Sequence, residues 1–318
     1  MEDTMIRSDT LPAERGEARA ADAAEARVID AGKLQKPRRK LTKDWALWVV
    51  FAVFLIYAIT LVFPFVWMLF NSVKSNQEYF RNIWAFPQSF HIENYTNVLF
   101  NYSVHNVSLF GMFGISIVIT LCGTVLSLLM SSIAAYVIAK YKFFGRNALY
   151  ALAVFVMAVP VAGTLPAQYN IMQTLHLTNS FIGVLILYAG GFGFNFLILY
   201  GFFKNLSWEY AEAALIDGCT DFGIFFKIML PMAKPALIAV GVIHAIGLWN
   251  DYVTPSIYLP NTPTLAVGVN LLLSELRGQS AYPEMFATMI IALIPILVVF
   301  ICFQKTIMEN TVAGGLKG

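Results

Sequence analysis

The chain has 318 residues, 58% of them hydrophobic and 13% charged, with a net charge of +2. Soluble domains carry about 25% charged residues, so a water-soluble fold is excluded and a lipid bilayer must be part of the solvent. The small net charge gives no ground for nucleic-acid binding.

Residues 1–44 are rich in Ala, Glu, Arg and Asp and poor in large apolar side chains. Such a stretch cannot bury enough surface to fold alone, and it reads as a disordered tail or a loose helix. It ends in a basic cluster, Lys36, Arg38, Arg39, Lys40 and Lys43, directly before an apolar run. That run, Trp45 to Phe70, is too long for the apolar region of a cleaved signal peptide. At 1.5 Å per residue it is long enough to cross a hydrocarbon core of about 30 Å with some tilt.

Five further apolar spans follow, at about 107–139, 148–173, 181–203, 235–257 and 284–304. The second exceeds what a bilayer requires, which places its start along the outer surface. Pro160 and Pro166 in the third and Pro295 in the sixth each remove a backbone donor that neighbours or water must replace. Helices broken in this way are expected to face protein or a cavity.

With the amino terminus inside, 18 of the 21 Lys and Arg residues fall in cytoplasmic segments. Lys74, Arg81 and Arg277 alone remain outside. The positive-inside bias therefore predicts an all-α membrane protein with six transmembrane helices and both termini cytoplasmic. Two domains follow: the tail over 1–44 and a transmembrane domain over 45–318, which closes in a short tail over 305–318. The outer loop at 71–106, with its aromatics and Pro87, is expected to form a small structured cap.

Three cysteines with no Cys-x-x-Cys, and four histidines with no pair at ligand spacing, argue against a metal or redox centre. His-Glu-x-x-His, Gly-x-Ser-x-Gly and Gly-x-x-x-x-Gly-Lys are all absent from the sequence. An enzyme is disfavoured, and the chain is not expected to bind ATP or any other cofactor itself.

The longest cytoplasmic loop, about 204–234, carries the clearest polar pattern. Trp208 to Ile216 reads as a short helix and Gly218 as the place where it stops. Asp221 is placed to cap a second short helix running to Met229, which Leu230-Pro231 ends. Ala213 and Ala214 offer a low-relief face for another surface. Glu209 and Glu212, three apart, face one side and suit a cationic groove. Within the spans, Trp249, Asn250 and Asp251 near the outer end of the fifth combine an aromatic face with hydrogen-bonding groups, as a sugar ring needs. Capping and anchoring of the helix end explain the same three residues equally well. Asn195 and His244 read as contacts between helices or as pathway residues. Tyr169 and Asn170, after Pro166, are candidates for the outer mouth. Ser127, Ser131, Ala135 and the run Gly190 to Gly193 read as surfaces for close helix packing.

The segment Glu212-Ala213-Ala214, three residues, Gly218, nine residues, Ile228-Met229-Leu230-Pro231 resembles the EAA loop of ABC-importer permeases at every fixed position. The remainder of 45–318 resembles carbohydrate permeases of the maltose-transporter type, and more closely their smaller permease subunit. That likeness rests on Asn71-Ser72-Val73-Lys74, Phe86-Pro87 with Asn94-Tyr95, Ala134 to Tyr141, Trp249-Asn250-Asp251 and the glycine-rich end from Thr311. The first 44 residues match nothing familiar.

The resemblance implies a type I ABC importer permease fold in a bacterial or archaeal cytoplasmic membrane. It also implies a heteromer: a second, non-identical permease subunit, a dimer of ATPases carrying Mg-ATP, and an extracytoplasmic solute-binding protein. On this likeness Glu209, Glu212, Ala213, Ala214, Gly218, Ile228, Leu230 and Pro231 couple to the ATPase, and Glu212 meets one of its arginines. Two rivals stand beside a sugar importer: the same fold with a non-sugar cargo, and an ion-coupled carrier with Asp251 and His244 as a relay.

Overall fold

The computed structural model describes residues 45–158 and 161–315. The tail anticipated over 1–44 and Pro160 lie outside the described residues. Two compact units divide at Phe63 and Pro64.

The first unit is seen as most of helix α1 (Trp45–Ser72), whose residues 45–63 expose almost every apolar side chain. A helix that is apolar all round and uncovered is stable only in lipid or against another apolar surface.

The second unit begins with the last turns of α1. A cap follows, built from α2 (Asn76–Arg81), α3 (Glu93–Thr96), a π-helical turn (Asn97–Asn101) and a two-stranded hairpin. In the hairpin β1 (Ser103–Val104) pairs antiparallel with β2 (Val107–Ser108), and His105 and Asn106 make the turn at positive φ. The anticipated cap is therefore present. Its centre is Lys74, 0% exposed, whose ammonium donates to Asn71 Oδ1 at 2.9 Å and to the Asn82 carbonyl at 3.2 Å. Asn94 donates to the Ser72 and Lys74 carbonyls at 2.8 and 2.9 Å, and the Ser72 and Tyr95 hydroxyls lie 2.6 Å apart. The two short motifs at 71–74 and 94–95 thus form one hydrogen-bonded knot.

Helix α4 (Leu109–Lys140) runs 32 residues unbroken from its cap at Ser108, whose hydroxyl accepts from the Gly111 amide. It is the hub of the unit: α8, α12, α7 and the later α14 all pack on it. The anticipated third, fourth and fifth spans are interrupted. The third is α5 (Arg146–Ala158), a 3-10 turn (Val161–Thr164) and α6 (Leu165–Thr174), with Pro166 in the first turn of α6, where its missing N–H matters least. The fourth is α7 (Phe181–Tyr188) and α8 (Phe194–Asn205), separated at 189–193. The run Gly190 to Gly193 is thus a break rather than a packing stripe.

After α9 (Glu209–Ile216) comes a helical stretch of three parts: α10 (Asp221–Ile224), a π-helical turn (Phe225–Met229) and α11 (Leu230–Met232). It bends by 74° into α12 (Lys234–Asn250). Leu230-Pro231 was expected to end this stretch, but the bend comes at Ala233. The π turn lets the Leu230 amide bond back to Phe225, so Pro231 enters at the start of a turn where no N–H is needed.

The chain closes with α13 (Val253–Tyr258), α14 (Leu265–Gly278) and α15 (Tyr282–Gly315). Pro295 does not break α15. It lines a small apolar cavity of about 180 Å³ with Trp249 and Thr120. Among the described residues three helices, α1, α4 and α15, are long and apolar enough to cross a membrane, and the bent stretch 221–250 makes a fourth if taken as one span.

Candidate functional site

The 209–232 segment folds as two short helices set at an angle on the end of α4. Gly218 has φ +80°, a conformation that penalises any side chain. Its amide donates to the Leu215 carbonyl at 3.0 Å and that of Cys219 to the Ala214 carbonyl at 2.9 Å. These two bonds are a Schellman stop. Cys219, packed against the adjoining core, supplies the apolar contact that accompanies it.

Thr220 then caps α10, its hydroxyl accepting from the Gly223 amide at 3.2 Å. Sequence reasoning gave that cap to Asp221. The Schellman turn consumes Gly218 and Cys219, which moves the cap one residue earlier and leaves Asp221 in the first turn.

The end of α4 grips this segment. Tyr141 donates to Asp221 Oδ1 at 2.8 Å and meets Trp208 edge-on, while Lys140 donates to the Leu206 carbonyl. Burial, with the hydrogen bonds to Tyr136 and Asp221, pushes the Tyr141 hydroxyl well above the usual tyrosine range, so it stays a donor. Tyr136 packs against Phe203 and Phe225 below the loop. Sequence reasoning quoted 134–141 as a family-like string and gave its tyrosines no task. The signal was their position directly after a long span.

The two faces of α9 differ sharply. Ala211 and Ala214 are buried in the core beside Ile224 and Met229. Ala214 therefore seats the helix from within, and Ala213 alone of the alanine pair is open to another surface. Glu209, Glu212 and Pro231 are exposed, while Ile228 and Leu230 are half-buried against the same core. Two apolar side chains missed in the sequence flank the turn: Ile216 is 86% exposed and Phe222 80%. The signal was an isoleucine and a phenylalanine directly flanking the short polar turn Asp217 to Asp221. Exposed apolar residues beside a rigid turn and two carboxylates suit a protein partner.

The candidate pathway residues do not gather at one place. Trp249 meets Phe113 edge-on at 5.5 Å and donates to the Ala292 carbonyl at 3.4 Å. Asn250 donates back along α12 to the Ile246 carbonyl at 2.8 Å. Asp251 accepts from the Val253 and Thr254 amides at 2.9 and 3.1 Å and from the Tyr188 hydroxyl at 2.9 Å. Its carboxylate ties the first turn of α13 to α7, while its backbone amide closes the end of α12. The three side chains diverge and form no common platform for a sugar. Tyr169 packs 6.1 Å from Tyr258, and Asn170 lines a shallow depression on α6.

Asn195 lies elsewhere. It donates to Ser127 Oγ at 3.4 Å across α4 and α8, and it lines a cavity of about 300 Å³ with Ser131, Tyr188, Phe192 and His244. Among the described residues no cluster of His, Cys, Asp and Glu is placed to hold a metal.

Residues 127–308 match the family described as binding-protein-dependent transport system inner membrane component. An arabinooligosaccharide transport system permease protein of Bacillus subtilis is 31% identical over 83% of this chain and 94% of its own. A diacetylchitobiose uptake system permease protein of Streptomyces coelicolor is 28% identical over 84% of this chain and 87% of its own. Among solved structures, a chain of a bacterial ABC transporter involved in import of the acidic polysaccharide alginate superposes with TM-score 0.71. It is 26% identical, over 85% of this chain and 99% of that one.

Proposed function

The chain belongs to the binding-protein-dependent transport system inner membrane components, and from that premise we propose that this ABC-importer permease subunit carries a saccharide across a bacterial or archaeal cytoplasmic membrane. The 209–232 loop is its contact with a separate ATPase dimer, on which Mg-ATP is bound and hydrolysed. A second permease subunit completes the pathway, and an extracytoplasmic binding protein delivers the solute. Six crossings, formed by α1, α4, α5 with α6, α7 with α8, α12 and α15, put both termini and the loop on the ATPase side.

One observation carries the coupling assignment. The loop that fits the EAA spacing is stopped by a Schellman turn at Gly218, fixed from below by Tyr141, and exposes Glu209, Glu212, Ile216 and Phe222. Glu212 is the charge offered to an arginine of the ATPase. The saccharide reading is supported by the relatives named above, whose cargoes are oligosaccharides and a polysaccharide. Membership of an importer family displaces the ion-coupled carrier, and Asp251 has a structural task that needs no relay.

The test is a mild-detergent pull-down of the tagged chain from its native membranes, beside a Glu212→Lys, Gly218→Pro variant. The normal chain should bring down an ATPase and a second permease, and the variant should keep the permease and lose the ATPase. An intact normal chain that recovers no ATPase refutes the assignment.

A further inference from the structure

The cavity beside Asn195 is built from four helices and a break: α4 supplies Ser127 and Ser131, the end of α7 Tyr188, the break Phe192, the start of α8 Asn195, and α12 His244. Ser127, Ser131 and Asn195 are 2%, 1% and 8% exposed, deep in the second unit. His244 Nε2 is buried and has no hydrogen-bond partner. A buried polar atom left unpaired costs about 1–3 kcal/mol, and polar side chains inside a membrane protein are expensive to keep. The Asn195–Ser127 hydrogen bond joins α8 to α4, but it accounts for neither the unpartnered His244 nor the open space beside it. An open space of about 300 Å³ edged by such groups has room for several waters or for part of a solute.

The lining chemistry narrows the solute. Hydroxyl and amide groups both donate and accept, as does a neutral imidazole, which is what a ring of hydroxyls requires. Tyr188 and Phe192 add aromatic surface for the apolar face of such a ring. No Asp, Glu, Lys or Arg is among the lining residues. A wall of this kind has no cation to offset a carboxylate in a low-dielectric setting, where an unpaired charge is strongly disfavoured.

We propose that this cavity is the solute-contacting wall that the subunit contributes to the pathway, and that it passes an uncharged saccharide, with Asn195 and His244 as its polar contacts. The proposal rests on the importer reading and sharpens it, because one relative of this fold serves an acidic polysaccharide. Asn195 and His244 lie on different elements, so a ligand held between them bridges α8 and α12 beside the break at 189–193, whose Phe192 also lines the cavity.

The experiment uses the complete importer purified with its partner subunits, with Cys122, Cys219 and Cys302 of this chain replaced by alanine. Ser131→Cys in the cavity is compared with Val125→Cys, which is 66% exposed on the same helix. The probe is a small charged methanethiosulfonate that reacts in water and not in lipid. Ser131→Cys should be modified at least tenfold faster in the nucleotide-free complex. Equal or slower modification, in a complex that still contains its ATPase and hydrolyses ATP, overturns the cavity assignment and leaves the importer reading intact. In proteoliposomes with the binding protein, neutral oligosaccharides should be taken up and uronate oligosaccharides should not. His244→Ala should lower that uptake about tenfold, and His244→Gln should restore part of it. Preferential uptake of uronates overturns the substrate class.

Discussion

At the scale of single residues, the 209–232 loop depends on side chains turned away from its exposed face. Tyr141 is the clearest case: its hydroxyl donates to Asp221 at 2.8 Å and its ring supports Trp208. Tyr141→Phe keeps the ring and removes one hydrogen bond worth about 1 kcal/mol. The backbone amides of 217–223 should then exchange hydrogen roughly fivefold faster, while those of α4 are unchanged. Equal protection in both forms would mean that the apolar contacts alone hold the loop. Lys74 has the same kind of role in the cap, where its ammonium satisfies Asn71 and the Asn82 carbonyl. Lys74→Met retains the stem and leaves those acceptors unpaired, so the detergent-solubilised protein should lose about 1–3 kcal/mol of stability. Thermal unfolding followed by tryptophan fluorescence would read the loss, since Trp67 and Trp84 pack together beside the knot.

At the scale of elements, helix α7 owes its position to an absent side chain. A methyl group on Gly183 would collide with the Leu177 carbonyl and the Met172 side chain. Gly183→Ala should therefore displace α7, loosen the Tyr188–Asp251 bond and destabilise the protein by about 1–3 kcal/mol. Ala→Gly reversion at that site should restore the melting temperature, and an unchanged melting temperature in Gly183→Ala would show that the turn yields freely. This level also marks where sequence reasoning succeeded and failed. The EAA spacing, the stop at Gly218 and the positions of α1, α4 and α15 were legible, because each is written in local spacing or in a long apolar run. The interruptions at 161–164 and 189–193 were not, because hydropathy is the same on both sides of a break and averages across it. The joining of Asn94 to the 72–74 carbonyls was hidden for a different reason: two short motifs were recognised, but nothing local says that they touch. The separate contacts of Trp249, Asn250 and Asp251 were hidden as well, because consecutive side chains at a helix end point in different directions.

At the scale of the whole molecule, composition demands a membrane, and the distribution of Lys and Arg predicts a direction within it. Three unbroken apolar helices and one bent stretch are evident. The remaining crossings of the proposed six-span arrangement would be made from short helices that fall below the length of an ordinary span, namely α5 with α6 and α7 with α8. Breaks of this kind are tolerated in a bilayer where their free backbone groups meet protein or water, and the second break borders the polar cavity. The arrangement therefore makes a topological prediction that does not depend on the cargo. Phe144, wholly exposed in the turn after α4, should lie on the ATPase side, and Gln279, exposed just after α14, on the opposite side. In right-side-out vesicles, with the native cysteines replaced, an impermeant maleimide should label Gln279→Cys and leave Phe144→Cys unmodified until the vesicles are opened. Labelling of both positions from outside would require an odd number of crossings between them to be replaced by an even one. Either α5 with α6 or α7 with α8 would then be a re-entrant hairpin, and Phe144 would lie across the membrane from the 209–232 loop, which the Tyr141–Asp221 hydrogen bond forbids.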